Sequence, residues 1–137
     1  MLSGARLLVR AFLNASECSA RRGTTIVGAD QSYPPLFLIH SGLAYCSTTF
    51  ADGRRAITDI LLPRDIAGIQ NVVMGRSMHT VIAATDLRYR PLSAGVVRDL
   101  VADNPQIALH VLALAAEVYH RAEQHVLALE RLEARER

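Results

Sequence analysis

The chain has 137 residues, a formal net charge of +2 and two cysteines, and 50% of its residues are hydrophobic. That size fits one domain able to bury a core without disulfides or a structural metal, and the composition excludes global disorder. All 15 basic residues are Arg and they are scattered, which excludes a Schiff-base or phosphate-loop lysine and gives no charge argument for nucleic-acid binding.

Leu2, Leu7, Leu8, Phe12 and Leu13 predict a short N-terminal helix. The stretch Met1 to Arg22 contains Arg and no acid before Glu17, as mitochondrial presequences do. An amphipathic helix packed on the domain is the preferred reading. Polar, turn-prone residues run from Asn14 to Gly23. Thr24 to Val27 is β-branched, and Leu36 to His40 is a short apolar run ended by Ser41-Gly42. Leu43 to Thr48 alternates as a strand does. Ala51-Asp52-Gly53-Arg54 predicts a tight type I′ hairpin, with Arg55 to Leu62 as the returning strand and Pro63 as its stop. Thr80 to Ala84 and Leu87 to Leu92 give two more strands. Short strands at this spacing imply an all-β barrel or sandwich.

The last third changes period. Ser93 caps a short helix through about Ala102, and Asn104 is the expected N-cap of a second, with Pro105 at its first position. From Pro105 to about Glu133 there is neither Gly nor Pro, about 29 residues or roughly 43 Å of helix. Leu112, Ala115, Tyr119, Ala122, Val126 and Leu129 recur at spacings of three and four, an a/d seam that calls for a partner helix. An ordinary amphipathic helix folded back on its own barrel is the alternative.

Catalytic and metal signals are weak. Cys18 and Cys46 have no CxxC spacing, and Cys46 reads as a small core residue in a reduced, cytoplasmic setting. No His pair among His110, His120 and His125 has the one-turn spacing of a helical metal site. Glu117, Arg121, Glu130, Arg131 and Arg135 read as solvated helix charges. No hydrolase or nucleotide-loop motif occurs, so no enzyme activity is expected, and every apolar run is interrupted before it reaches a membrane span.

Five segments in order carry a resemblance: Leu38-Ile39-His40-Ser41-Gly42-Leu43, Asp52-Gly53-Arg54-Arg55-Ala56-Ile57, Leu61-Leu62-Pro63-Arg64-Asp65-Ile66-Ala67-Gly68, Ala83-Ala84-Thr85-Asp86 and Asn104-Pro105-Gln106-Ile107-Ala108-Leu109. With them the chain resembles the effector domain of the Crp/Fnr family of bacterial transcription regulators. The resemblance implies a mainly β fold: a double-stranded β-helix (jelly-roll) barrel, a short N-terminal helix and a long C-terminal dimerisation helix. It divides the chain into an effector domain over 1–103 and a dimerisation helix over 104–137. It also implies a homodimer through that helix, with DNA read by a C-terminal domain absent from this chain.

Cyclic-nucleotide-binding members of the family carry a phosphate-binding cassette that opens with Phe-Gly-Glu and closes with Arg-Ser or Arg-Thr. The Glu accepts from the ribose hydroxyl, and the Arg neutralises the cyclic phosphate. Counted from Gly68, the Glu position is Ile69, the Arg position His79 and the hydroxyl position Thr80. Gln70 and Asn71 extend the expected pocket wall, and Ala122 and Glu123 stand where hydroxyl residues of the long helix reach the base. Arg76 lies three residues early, either as a displaced phosphate ligand or, by preference, as an exposed loop residue. The barrel is therefore expected to be kept without high-affinity cyclic AMP binding. No cofactor is assigned, and another small-molecule effector is left open. Two cysteines cannot supply a four-cysteine iron–sulfur site, whereas His79 or Cys46 is a formal candidate for a haem axial ligand. The same jelly roll hosts cupin-type metalloenzymes, but only His40 and His79 fall in the β region. A purely structural dimerisation domain is the third reading.

Overall fold

A computed structural model describes residues 3–136. Leu2, the first apolar position of the expected N-terminal helix, lies outside the described residues. The elements are α1 (Gly4–Leu13), β1 (Cys18–Ala20), β2 (Thr25–Val27), β3 (Leu36–Ser41), β4 (Ala44–Thr49), β5 (Arg55–Leu61), β6 (Ile66–Ala67), α2 (Ile69–Met74), β7 (Thr80–Ala83), β8 (Leu87–Leu92), α3 (Ala94–Asp103) and α4 (Pro105–Glu136).

The strands form two four-stranded antiparallel sheets, in the orders β1-β8-β3-β6 and β2-β7-β4-β5. This is the expected mainly β, jelly-roll architecture, with a short helix before it and a long one after it. Strand alternation builds the core between the sheets. Val27, Phe37, Ile39, Ala44, Leu61, Val81, Ala83 and Leu87 are buried there, with Cys46 and Tyr89 packed against them. Phe37 and Tyr89 meet edge to face at 5.8 Å. Tryptophan is absent from the chain, and aliphatic side chains fill most of the barrel.

A second apolar cluster lies outside it: Leu8 and Phe12 of α1, Leu36, Ile69, Leu92, Val97 of α3 and Ile107 of α4. Strand β3 serves both clusters. Leu36 faces the helices while Phe37 and Ile39 face the barrel, which is why this strand reads as an unbroken apolar run. Ser3 caps α1 by accepting from the Arg6 N–H, and Arg90 on β8 donates to the Leu13 and Ala15 carbonyls at its far end. Cationic donors suit a helix C-terminus.

Several local expectations are revised. The β4–β5 hairpin falls where Asp52-Gly53 placed it, but only Gly53 takes a positive φ, +87°. Its N–H donates to the Phe50 carbonyl at 2.9 Å, and the Phe50 N–H donates to Arg54 at 2.8 Å. The loop is thus a three-residue turn ending in a left-handed glycine, not a two-residue type I′ turn. Strands β1 and β6 and helix α2 are too short to show a period. Ser93 caps α3 as expected, accepting from the Val96 N–H at 3.2 Å. Asn104 behaves otherwise: its side-chain amide turns back to the Leu100 carbonyl at 3.1 Å and closes α3. Only its backbone carbonyl serves α4, accepting from the Ile107 N–H at 2.9 Å.

Candidate functional site

The segment from Gly68 to Thr80 holds most of the expected site residues. It forms α2 between Gly68 and Gly75 and then a loop into β7. Ile69 is buried in the helical cluster, with Leu8 and Phe12. It presents no hydrogen-bond acceptor. Gln70 is exposed. Asn71 is buried and organises the loop: its Oδ1 accepts from the Met78 N–H at 3.0 Å and its carbonyl from the Gly75 N–H at 2.8 Å.

The loop is held from outside by residues 28–33. Ser77 is buried, and its hydroxyl donates to the Gly28 carbonyl and accepts from the Gln31 N–H. The Ser77 N–H donates to the Gln31 carbonyl at 2.9 Å, and Ser32 bridges to Arg76. The Arg76 guanidinium is exposed and lies 3.9 Å from Asp30.

Three half-buried polar residues, Thr48, Asp59 and His79, lie on or beside the strands of the β2-β7-β4-β5 sheet. Register pairs Cys46 with Val81 and Ser47 with Thr80, so Thr48 comes opposite His79. The Thr48 hydroxyl and His79 Nδ1 are 3.0 Å apart. Across β4 the neighbour of Cys46 is Asp59 on β5. Arg121 of α4 reaches Asp59, with Nη2 to Oδ2 at 3.9 Å. Burial, and secondly the Asp59 charge, push the Cys46 thiol up to about 11. It stays protonated at neutral pH, which makes it a poor nucleophile and a poor thiolate ligand. Burial likewise raises the Tyr89 phenol.

The nine expected pocket residues are spread over α2, the loop after it, the start of β7 and α4. His79 pairs with Thr48 and Thr80 follows it in β7, Ile69 and Asn71 are buried in α2, and Ala122 and Glu123 are exposed on α4. Two shallow surface hollows, of about 440 and 420 Å³, are lined by Ser19, Arg21, Asp86 and Arg88 and by Arg6, Val9 and Leu13, away from all nine. Among the described residues no three His, Cys, Asp or Glu stand close enough to hold a metal ion. Thr48, Asp59, Arg121 and Ser77 were not singled out as site residues in the sequence. The signal for Thr48 is its place in the period-two pattern of β4, two residues past Cys46. For Arg121 no local pattern distinguishes it from the other helix charges.

Of the expected seam, Leu112, Tyr119, Ala122, Val126 and Leu129 are exposed, and Ala115 packs partly against the chain's own helical cluster. No helix is long and apolar enough to cross a membrane among the described residues.

The two sheets, the α2 loop and the long terminal helix form a β-roll of the cyclic nucleotide-binding domain kind. The chain belongs to the cyclic nucleotide-binding domain family, whose sequence profile matches residues 17–104. The chain is 28% identical over 116 residues to the nitrogen fixation regulation protein FixK of Azorhizobium caulinodans, covering 85% of this chain and 46% of that protein. Among solved structures, FixK2 of Bradyrhizobium japonicum superposes with a TM-score of 0.75 at 26% identity, over 82% of this chain and 56% of that one. The catabolite activator protein of Thermus thermophilus shares the fold, with a TM-score of 0.73 at 21% identity, over 93% of this chain and 59% of that one. The chain thus spans about half the length of these relatives. They agree with the Crp/Fnr resemblance carried by the hairpin and helix motifs, and the Azorhizobium relative is a nitrogen fixation regulation protein.

Proposed function

We propose that this chain is the sensing and dimerising part of a Crp/Fnr-type transcription regulator. Residues 1–103 form the effector domain and 104–137 the helix through which two copies pair. Effector binding at the α2–β7 segment changes how the two long helices pack, and that packing sets the spacing of the regulator's DNA-reading elements. The observation that carries this reading is the far half of α4. From Tyr119 to Glu136 every residue is exposed, yet Tyr119, Val126, Leu127, Leu129 and Leu132 are large and apolar. A helix with such a stripe gains its stability from a partner.

The effector is not cyclic AMP in this reading. Ile69 cannot accept from a ribose hydroxyl, and His79 replaces the permanent cation that neutralises a cyclic phosphate. A thermal-shift series with cyclic AMP, other cyclic nucleotides, haem and small organic acids, run beside sedimentation of the chain, tests both parts. The expected result is a dimer with no robust stabilisation by cyclic AMP; a monomer, or a saturable cyclic AMP shift, overturns the corresponding part. The apolar filling of the barrel favours one second reading, a dimerisation domain without any ligand. A dimer indifferent to every compound would select it.

A further inference from the structure

The connection between β2 and β3, residues 28–33, grips two parts of the molecule. On one side it holds the α2–β7 loop. Ser77 bonds to Gly28 and Gln31, and the Tyr33 N–H donates to the Gly75 carbonyl at 2.8 Å. On the other side it meets α3, where the Arg98 guanidinium carbon lies 5.3 Å from the centroid of the Tyr33 ring. Helix α3 leads directly into α4 through Asn104.

The connection is also strained. Asp30 and Tyr33 have φ of +59° and +48°, in the left-handed region. A bulky residue rarely adopts it, and a residue before proline, as Tyr33 is before Pro34, is biased toward extended backbone. The Tyr33 side chain is 62% exposed, so apolar burial does little to reward the conformation. Such strain persists only where the surroundings over-determine it. Here the constraints are the bond to Gly75, the Arg98 contact and the buried Pro34.

We infer that residues 28–33 are a strap that ties the state of the α2–β7 loop to the α3–α4 joint, with Ser77 as one anchor and the Tyr33–Arg98 contact as the other. A ligand that drew the Arg76–Ser77 backbone toward itself would break the Ser77 bonds, let Tyr33 relax toward negative φ and release Arg98. That use rests on the proposed effector function. The mechanical link does not, and it is tested with no effector present.

Hydrogen–deuterium exchange with mass spectrometry on the full chain reads it. Arg98 is exposed on α3, and Arg98→Leu should speed exchange in residues 28–33 and 75–78 roughly two- to fivefold, the factor expected for losing an exposed cation–π contact. Ser77→Ala should speed exchange in those segments and in 94–104, and its effect on 94–104 should vanish in an Arg98→Leu background. Should Ser77→Ala unfold the chain, Tyr33→Gly takes its place, because glycine accepts the left-handed φ and keeps the N–H to Gly75. It should match Arg98→Leu in both 75–78 and 94–104. An Arg98→Leu effect confined to α3, or a Tyr33→Gly protein with unchanged exchange in 94–104, overturns the strap. Either outcome leaves the effector reading to its own ligand series.

Discussion

The two halves of α4 continue one apolar period, the second half carrying far more charge, and they meet opposite fates. In the first half Ile107 is completely buried, and Val111, Leu114 and Ala115 pack toward α1 and α3. Contact there is close: a Cβ on Gly4 would collide with the Gln106 carbonyl. In the second half, from Tyr119 on, every described residue is exposed, and an ion pair from Arg121 to Asp59 ties this half to the barrel. Period alone therefore says that a face is apolar, not what covers it. One face of the first half is covered by the chain's own helices, whereas the second half is covered by nothing among the described residues of a single chain, and the proposed pairing of two copies would cover its apolar stripe.

The largest expected effect lies in the first half. Ile107→Ala should lower unfolding stability by about 2–5 kcal/mol, the usual cost of emptying a fully buried aliphatic site. Chemical denaturation of a variant held monomeric measures it, and a loss under 1 kcal/mol would mean that this half is no better anchored than the other. Next comes Val126→Glu. Sedimentation should show the dimer dissociation constant raised about 100-fold or more, roughly 2.7 kcal/mol, with monomer stability unchanged within about 0.5 kcal/mol. An undisturbed dimer would place the partner surface elsewhere.

The barrel offers a control that neither half of the helix should alter. Cys46 titrates near 9 when unfolded and at about 11 when folded. Well below pH 9 the thiol is protonated in both states and adds no pH dependence. Between these values only the unfolded chain loses the proton, so stability falls as pH rises, by about 2 kcal/mol in all. Denaturant midpoints at pH 7.5 and 10.5 should show that decline in the parent and in Val126→Glu alike, and a flatter profile in Cys46→Ala. An equally steep profile in Cys46→Ala would assign the alkaline loss to another group.

What was legible in the sequence follows from how local its cause is. The Ser93 cap, the Pro105 start and strands β3, β4, β5, β7 and β8 are written in neighbouring residues, and the structure holds them where the pattern puts them. The hairpin type was not legible, because Asp-Gly suits both a two-residue turn and the end of a three-residue one. The Asn104 side chain had two helix ends within reach and chose the earlier. The site was harder still. Counting along a motif points to His79, but its Thr48 partner depends on the β4–β7 register. Ser77, adjacent to Arg76, is decided by a loop more than forty residues away in the chain. Long-range hydrogen bonds leave no period to read.

The smallest expected effect bears most directly on whether the second half of α4 is free. Asp59→Asn removes the charge that faces Arg121. The pair is long, 3.9 Å, and the side chains are 37% and 57% exposed, so water and salt screen it. Exposed pairs of this kind contribute between nothing and about 1 kcal/mol. The expected loss for Asp59→Asn is below about 0.5 kcal/mol at 0.15 M salt, with exchange in residues 119–136 as fast as in the parent monomer. The substitution also removes the secondary cause of the raised Cys46 thiol, so the alkaline decline should start at the same pH but end at a slightly lower one and be slightly smaller, while its main cause, burial, persists. A loss above 2 kcal/mol, or slowed parent exchange that Asp59→Asn abolishes, would mean that the barrel already grips the distal helix in a single chain. The apolar stripe from Tyr119 to Leu132 would then be oriented by the barrel before any second copy arrives.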